Sequence, residues 1–136
     1  MKHPEKLFMK IAHLFGENST CDRAKVGCVI VKDGRIISTG FNGSLSKQPH
    51  CNEVGHLLVE GHCIRTIHAE QNALTFCAKK GTSVDGAEAY VTHYPCSHCL
   101  KLLIQSGIKK VYYSDAYRID ENPFFDLIPS KQVLIE

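Results

Sequence analysis

Two short clusters hold side chains suited to bond chemistry: His68-Ala69-Glu70 and Pro95-Cys96-Ser97-His98-Cys99. Each falls where a helix is expected to begin, one after a loop and one after a strand. Imidazole and thiolate are zinc ligands, and Cys96 and Cys99, three apart, share one side of a first helical turn. The partial positive charge of a helix N-terminus favours thiolates there. His68, Cys96 and Cys99 make three protein ligands and leave the fourth tetrahedral position to water, which separates a catalytic zinc from a closed structural one. Zinc lowers the pKa of such a water toward neutrality, and Glu70 is close enough in sequence to shuttle its proton. Cys-x-x-Cys alone also fits a redox pair or half of a zinc knuckle. Pro95 directly before it, with His-x-Glu upstream, turns the reading toward metal-assisted hydrolysis. His98 is expected to face solvent and bind no metal.

Composition bounds the rest. The chain has 136 residues, 43% apolar and 22% charged, which suits one domain over residues 1–136 with enough apolar content to oppose chain entropy. No apolar stretch approaches the ~20 residues of a membrane span. The N-terminal Met1-Lys2-His3-Pro4-Glu5-Lys6 lacks the apolar core of a signal peptide, so a cytoplasmic protein is expected. A net charge of +2 argues for neither a nucleic-acid nor a membrane surface. Seven cysteines, an odd number, with eight histidines point to zinc before disulfides.

The elements that must position these residues follow from pattern. Pro4 to Phe15 reads as an amphipathic helix with Leu7, Phe8, Ile11, Leu14 and Phe15 at helical spacing, stopped by Gly16. Val26–Val31 and Arg35–Thr39 read as a hairpin about Asp33-Gly34. From Phe41 to about Arg65 periodicity fails, while Gly, Pro, Asn, Cys and His accumulate. A loop this long is usually functional or held by something other than packing. This stretch, with the segment before the first strand, contains a second set of metal-ligand types: Cys21, Cys51, His56, His62 and Cys63. His68–Lys80 is a helix, Glu88–Thr92 a strand, Cys96–Ser106 a helix with Leu100, Leu103 and Ile104 inward, and Lys110–Ser114 a strand. Pro123–Ile128 reads as a short helix and Gln132–Ile135 as a last strand. Cys28 and Cys77 sit in apolar surroundings and read as core. The order predicts an α/β layered domain with a five-stranded mixed sheet covered by helices.

The motifs together resemble the deoxycytidylate (dCMP) deaminases of the zinc-dependent cytidine/deoxycytidylate deaminase superfamily. His-x-Glu with Pro-Cys-x-x-Cys is the superfamily signature. Cys21-Asp22-Arg23-Ala24-Lys25-Val26-Gly27, Gly40-Phe41-Asn42-Gly43 (usually Tyr where Phe41 stands), Cys63-Ile64-Arg65-Thr66-Ile67, Val91-Thr92-His93-Tyr94 and Ala116-Tyr117-Arg118 narrow it to the deoxynucleotide branch.

The resemblance implies a three-layer α-β-α cytidine-deaminase-like fold and zinc-dependent hydrolysis of dCMP to dUMP with release of ammonia, feeding thymidylate synthesis. It also implies a homo-oligomer, often a hexamer, activated by dCTP and inhibited by dTTP, with Mg2+ accompanying the effector. By resemblance Asn42 contacts the nucleotide; its residue type also suits a turn between two glycines. Tyr117 closes over the substrate or is a buried core tyrosine. Arg23, Lys25 and Arg118 are candidates for the phosphate or ordinary surface charge. Phe76 and Lys79 fall at the effector site, Lys79 where some relatives have arginine. Cys21 and Cys51 match ligands of a structural zinc, completed by His56 with Cys63, or with His62 as the substitute. Rival readings are a deaminase of dCTP or cytidine and a non-catalytic zinc-binding accessory protein in DNA metabolism or uptake. Glu70 speaks against the last, since a structural site has no use for an unliganded carboxylate beside the metal.

Overall fold

The computed structural model describes residues 1–19, 24–60 and 62–135, with Asn52, His62 and Cys63 described in the backbone alone. Helix α1 (Pro4–Gly16) is followed by strands β1 (Gly27–Lys32) and β2 (Arg35–Phe41), helix α2 (Ala69–Lys80), strand β3 (Glu88–His93), helix α3 (Ser97–Gln105), and strands β4 (Lys110–Asp115) and β5 (Ser130–Gln132). The sheet runs β2-β1-β3-β4-β5. β1 is antiparallel to both β2 and β3, while β3, β4 and β5 are mutually parallel. This is the expected five-stranded mixed sheet of an α-β-α sandwich.

Burial explains why β1 reads as a continuous apolar run rather than an alternating one. Its two faces both meet helices. Cys28 and Ile30 face a core shared with Ala69, Ala73 and Cys77 of α2 and Leu100 and Leu103 of α3. Val29 and Val31 turn the other way, onto Phe8, Met9 and Ala12 of α1 together with Tyr90 and Tyr112. The hairpin turn places Asp33 and Gly34 at φ 52° and 77°, the left-handed pair that matches strand twist. Cys28 and Cys77 are core residues, as their surroundings in sequence predict.

Two expectations are corrected and one is narrowed. On α1 the buried stripe is Phe8, Met9, Ala12 and Gly16, whereas Leu7 and Leu14 are exposed. The helix is rotated because small residues must face the sheet where it comes closest. The short helix expected at Pro123–Ile128 is a single 3-10 turn at Phe125–Leu127, and a second 3-10 turn occupies Ile119–Glu121. Asn122 Oδ1 accepts the Phe124 N–H at 3.1 Å and closes a local turn just before the Phe125–Leu127 segment. The last strand is Ser130–Gln132 rather than Gln132–Ile135, and the apolar Val133 and Ile135 pack beneath α1 just beyond it.

The described residues of the long irregular stretch form only fragments: Gly43–Ser44 paired with Thr66–Ile67, one helical turn at Cys51–Val54, and Leu58–Val59 paired with His62–Cys63. No helix among the described residues is long and apolar enough to cross a membrane.

Two glycines set how closely the helices seat on the sheet. A Cβ on Gly27 would collide with the Ala12 carbonyl of α1, and one on Gly40 with the Ala69 carbonyl and Ala73 N of α2. These are backbone atoms that cannot swing aside. Gly27→Ala should therefore destabilise the fold by ~1–3 kcal/mol, the usual cost of overpacking. Urea unfolding measures this, and an unchanged midpoint would contradict the close seating of α1.

Candidate active site

β1 starts, and β3 and β4 end, at one end of the sheet, because Cys28 pairs antiparallel with Val91 and β4 runs parallel to β3. From the end of β3 the chain passes through Tyr94, whose N–H donates to the Asp115 carbonyl at 2.8 Å, and Pro95, whose carbonyl accepts Asn122 Nδ2 at 3.0 Å. Cys96 then caps α3 and Cys99 lies in its first turn. From the other side, Thr66–Ile67 is pinned against Gly43–Ser44 and delivers His68 as the N-cap of α2. The His68 N–H donates to Gln71 Oε1 at 2.9 Å, satisfying a helix-start donor.

The two helix starts meet. His68 Nδ1 lies 3.2 Å from Cys99 Sγ and 3.6 Å from Cys96 Sγ, and the three ligand atoms all fall within 4.8 Å of one another. A tetrahedral zinc with bonds of ~2.3 Å to sulfur and ~2.05 Å to nitrogen sets those atoms ~3.6 Å apart. The donor set fits zinc in both chemistry and spacing. Among the described residues it is the one such cluster.

Electrostatics at the cluster follow from proximity. The hydrogen bond from the Cys99 thiol, and then His68, hold Cys96 down to about 3. The same bond, with burial, pushes Cys99 up, and Cys96 raises His68. These protons occupy donors that a metal would take over. Glu70, on the first turn of α2, is only 4% exposed, and burial pushes its carboxyl up to about 7 against the pull of its backbone hydrogen bond, His68 and Cys99. A carboxyl this close to the three donors can accept and return protons while remaining outside the ligand set.

The other sequence-predicted residues divide. His98 is exposed. Asn42 uses its amide on backbone: Oδ1 accepts the Val26 N–H at 2.9 Å, and Nδ2 donates to the Ala24 carbonyl. Lys25 is exposed between those two residues. Tyr117 is 50% exposed with the Arg118 guanidinium 5.2 Å from its ring centre, so it is not a core tyrosine. Phe76 and Lys79 lie on the exposed side of α2, Phe76 with the Lys80 ammonium 5.9 Å from its ring centre. Cys51 is buried and His56 exposed. Cys21 and Arg23 lie outside the described residues, as do the side chains of His62 and Cys63.

Sequence reasoning missed the supports. Asn122 props the carbonyl before Cys96, Asn72 Nδ2 donates to the Phe41 carbonyl at 3.1 Å, and the buried Thr92 hydroxyl accepts the Gly27 N–H at 3.1 Å. No spacing rule marks such residues. The nearest signal is a polar residue that follows directly on an apolar run, as Thr92 follows Ala89-Tyr90-Val91.

The cytidine and deoxycytidylate deaminase zinc-binding region matches residues 2–115. The chain belongs to that family. It is 52% identical over 111 residues to ComE operon protein 2 of Bacillus subtilis (strain 168), covering 82% of this chain and 59% of that protein's length. It is 35% identical to the deoxycytidylate deaminase of Enterobacteria phage T4, covering 88% of this chain and 82% of the phage enzyme. The crystal structure of dCMP deaminase from the cyanophage S-TIM5 in complex with dCMP and dUMP superposes with a TM-score of 0.84 at 37% identity, covering 98% of both chains. The α/β sandwich is thus the family's fold, and the chain is a zinc-dependent deaminase.

Cys99→Ser should lower the zinc affinity of this deaminase by more than roughly 100-fold, since even outer-sphere changes cost 10–100-fold. Metal analysis after dialysis against a weak chelator measures it, and retention of wild-type zinc would remove Cys99 from the ligand set.

Proposed function

We propose that this deaminase hydrolyses dCMP to dUMP and ammonia, supplying dUMP for thymidylate synthesis. The observation that carries the reading is the superposition, over nearly the whole of both chains, on a dCMP deaminase solved with dCMP and dUMP. His68, Cys96 and Cys99 would hold the zinc, which when bound supplies a Lewis acid that makes water nucleophilic near neutral pH. Glu70 moves the protons: its carboxylate accepts one from the water adding to cytosine C4 and delivers it to ring N3. It then carries the second proton to the departing amino group, so that one water is consumed and one ammonia released. Burial of Glu70 keeps its carboxylate from bulk water, so its protons pass to the ring.

Lys25, with Arg23 and Arg118, binds the 5′-phosphate, and Tyr117 closes over the nucleotide. A dianion held by charged donors contributes binding energy that a nucleoside lacks, and that energy positions the reacting base. The chain functions as one deaminase-type domain over residues 1–136, in the cytoplasm, as a homo-oligomer of hexameric type. dCTP with Mg2+ activates it and dTTP inhibits it, through Phe76 and Lys79 on the outer side of α2.

A second, structural zinc bound by Cys21, Cys51, His56 and Cys63, with His62 as the substitute, holds the long insertion. What supports it is the poverty of packing there. Val54, Leu57, Leu58, Val59 and Ile64 are 46–57% exposed, so apolar burial does little to order the segment, whereas Cys51 is buried.

Ammonia release measured in parallel from dCMP, dCTP, deoxycytidine and cytidine tests the substrate. dCMP should be preferred, and equal turnover of deoxycytidine would defeat the phosphate argument. Glu70→Gln should keep its zinc while losing about 10²-fold or more in turnover, the range of acid–base catalysis. Near-normal activity would remove Glu70 from the proton path. Cys51→Ser should lose one of two zinc equivalents per chain and lower the melting temperature. A single equivalent in the wild type would refute the second site.

A further inference from the structure

Asn42 stands between two roles, contact with the nucleotide and support of a turn, and its hydrogen bonds point to a third. Its side-chain amide spends one acceptor and one donor on the two residues that flank Lys25: Oδ1 takes the Val26 N–H at 2.9 Å, and Nδ2 binds the Ala24 carbonyl. Its backbone N–H also donates to the Val26 carbonyl at 3.3 Å. Ser19 closes the arrangement, its hydroxyl lying 2.9 Å from the Asn42 carbonyl and 3.2 Å from that of Ala24. The grip is tied to the catalytic end of the molecule on two sides. Phe41, the residue before Asn42, has its carbonyl held by Asn72 on the first turn of α2, where Glu70 also sits. Gly27, the residue after Val26, donates to Thr92, four residues before Cys96.

We propose that Asn42 is a positioning residue for monophosphate selectivity: by holding Ala24 and Val26 it fixes exposed Lys25 at the end of the sheet where His68, Cys96 and Cys99 converge. The inference rests on the dCMP reading above and deepens it. Lys25 has a long side chain with a costly rotamer entropy, and only its backbone can be fixed in advance. A fixed backbone reduces what the phosphate must spend to order its ligand. Asn42 thus acts on the phosphate through Lys25.

Four forms settle this: wild type, Asn42→Ala, Lys25→Ala and the double variant, each assayed with dCMP and with deoxycytidine and each checked for zinc content. Asn42→Ala should lower kcat/KM for dCMP about tenfold more than for deoxycytidine, chiefly through KM, as expected for a lost charge-assisted contact. In the Lys25→Ala background the extra loss on dCMP should vanish, because both changes remove the same contact. Amide hydrogen exchange gives a readout independent of turnover: Val26 N–H should lose protection in Asn42→Ala and keep it in Asn42→Asp, which retains the acceptor. Equal losses on both substrates, or additive effects of the two substitutions, would overturn the positioning role. So would protection of Val26 in Asn42→Ala. A wild type that treats dCMP and deoxycytidine alike would instead overturn the dCMP reading and this inference with it, which the four-way comparison separates from failure of the anchor alone.

Discussion

Three soft donors from two distant stretches of chain must come within 4.8 Å of one another, and most of the architecture serves that meeting. Neither helix could supply the set alone, since His68 caps α2 and both cysteines belong to the start of α3. The two helices must therefore begin at the same end of the sheet and on the same face. That requires β3 to run into α3 directly and α2 to be delivered from the far side by a long excursion. It also requires α2 to lie tightly on β2, which is where a side chain at Gly40 would strike the Ala69 carbonyl. Helix starts suit this work twice over, since unsatisfied N–H groups favour anionic ligands and the first turn offers the three-residue spacing.

The same convergence decides the character of Glu70. A carboxylate buried to 4% exposure on the first turn of a helix gains from the N-terminal dipole and loses far more to desolvation, so its pKa is pushed up to about 7. Burial that would be a defect elsewhere suits the proton shuttle proposed for Glu70 beside a metal position, where the group would exchange protons with a single small molecule and not with bulk water. The fold achieves this by covering the face between α2 and β1 with small residues: Ala69, Ala73 and Cys28 are all fully buried around it.

What was legible in the sequence was whatever short-range chemistry writes into spacing. The His68–Glu70 and Cys96–Cys99 motifs, the Asp33-Gly34 turn, the buried run of β1 and four of the five strands all depend on residues close together in the chain. The errors came where distant partners decide. On α1 the apolar residues alone leave the buried face ambiguous, and the need to pass Gly27 closely selects Met9 and Ala12 over Leu7 and Leu14. Before the 3-10 turn at Phe125–Leu127, an asparagine side chain bonded both locally to Phe124 and remotely to Pro95 sets where the turn begins. The supports of the site, Thr92, Asn72 and Asn122, were invisible for the same reason: each is a single polar residue whose partner lies far off in sequence.

Those supports share a physical logic. The segments that lead into the two helix starts at this end of the sheet are loops and short strands, where apolar cover orders less than it does in the interior. Position there has to come from hydrogen bonds between side chains and backbone, which are directional and can be made without closing the site. Asparagine suits the task because one amide presents a donor and an acceptor, and it appears three times, as Asn42 on Val26 and Ala24, Asn72 on Phe41, and Asn122 on Pro95 and Phe124. Each bond is modest in net stability, about 1 kcal/mol, and the one to the Pro95 carbonyl fixes the backbone directly before Cys96. The hydrophobic core makes the sandwich stable, and these polar ties fix the chain around the metal-ligand cluster.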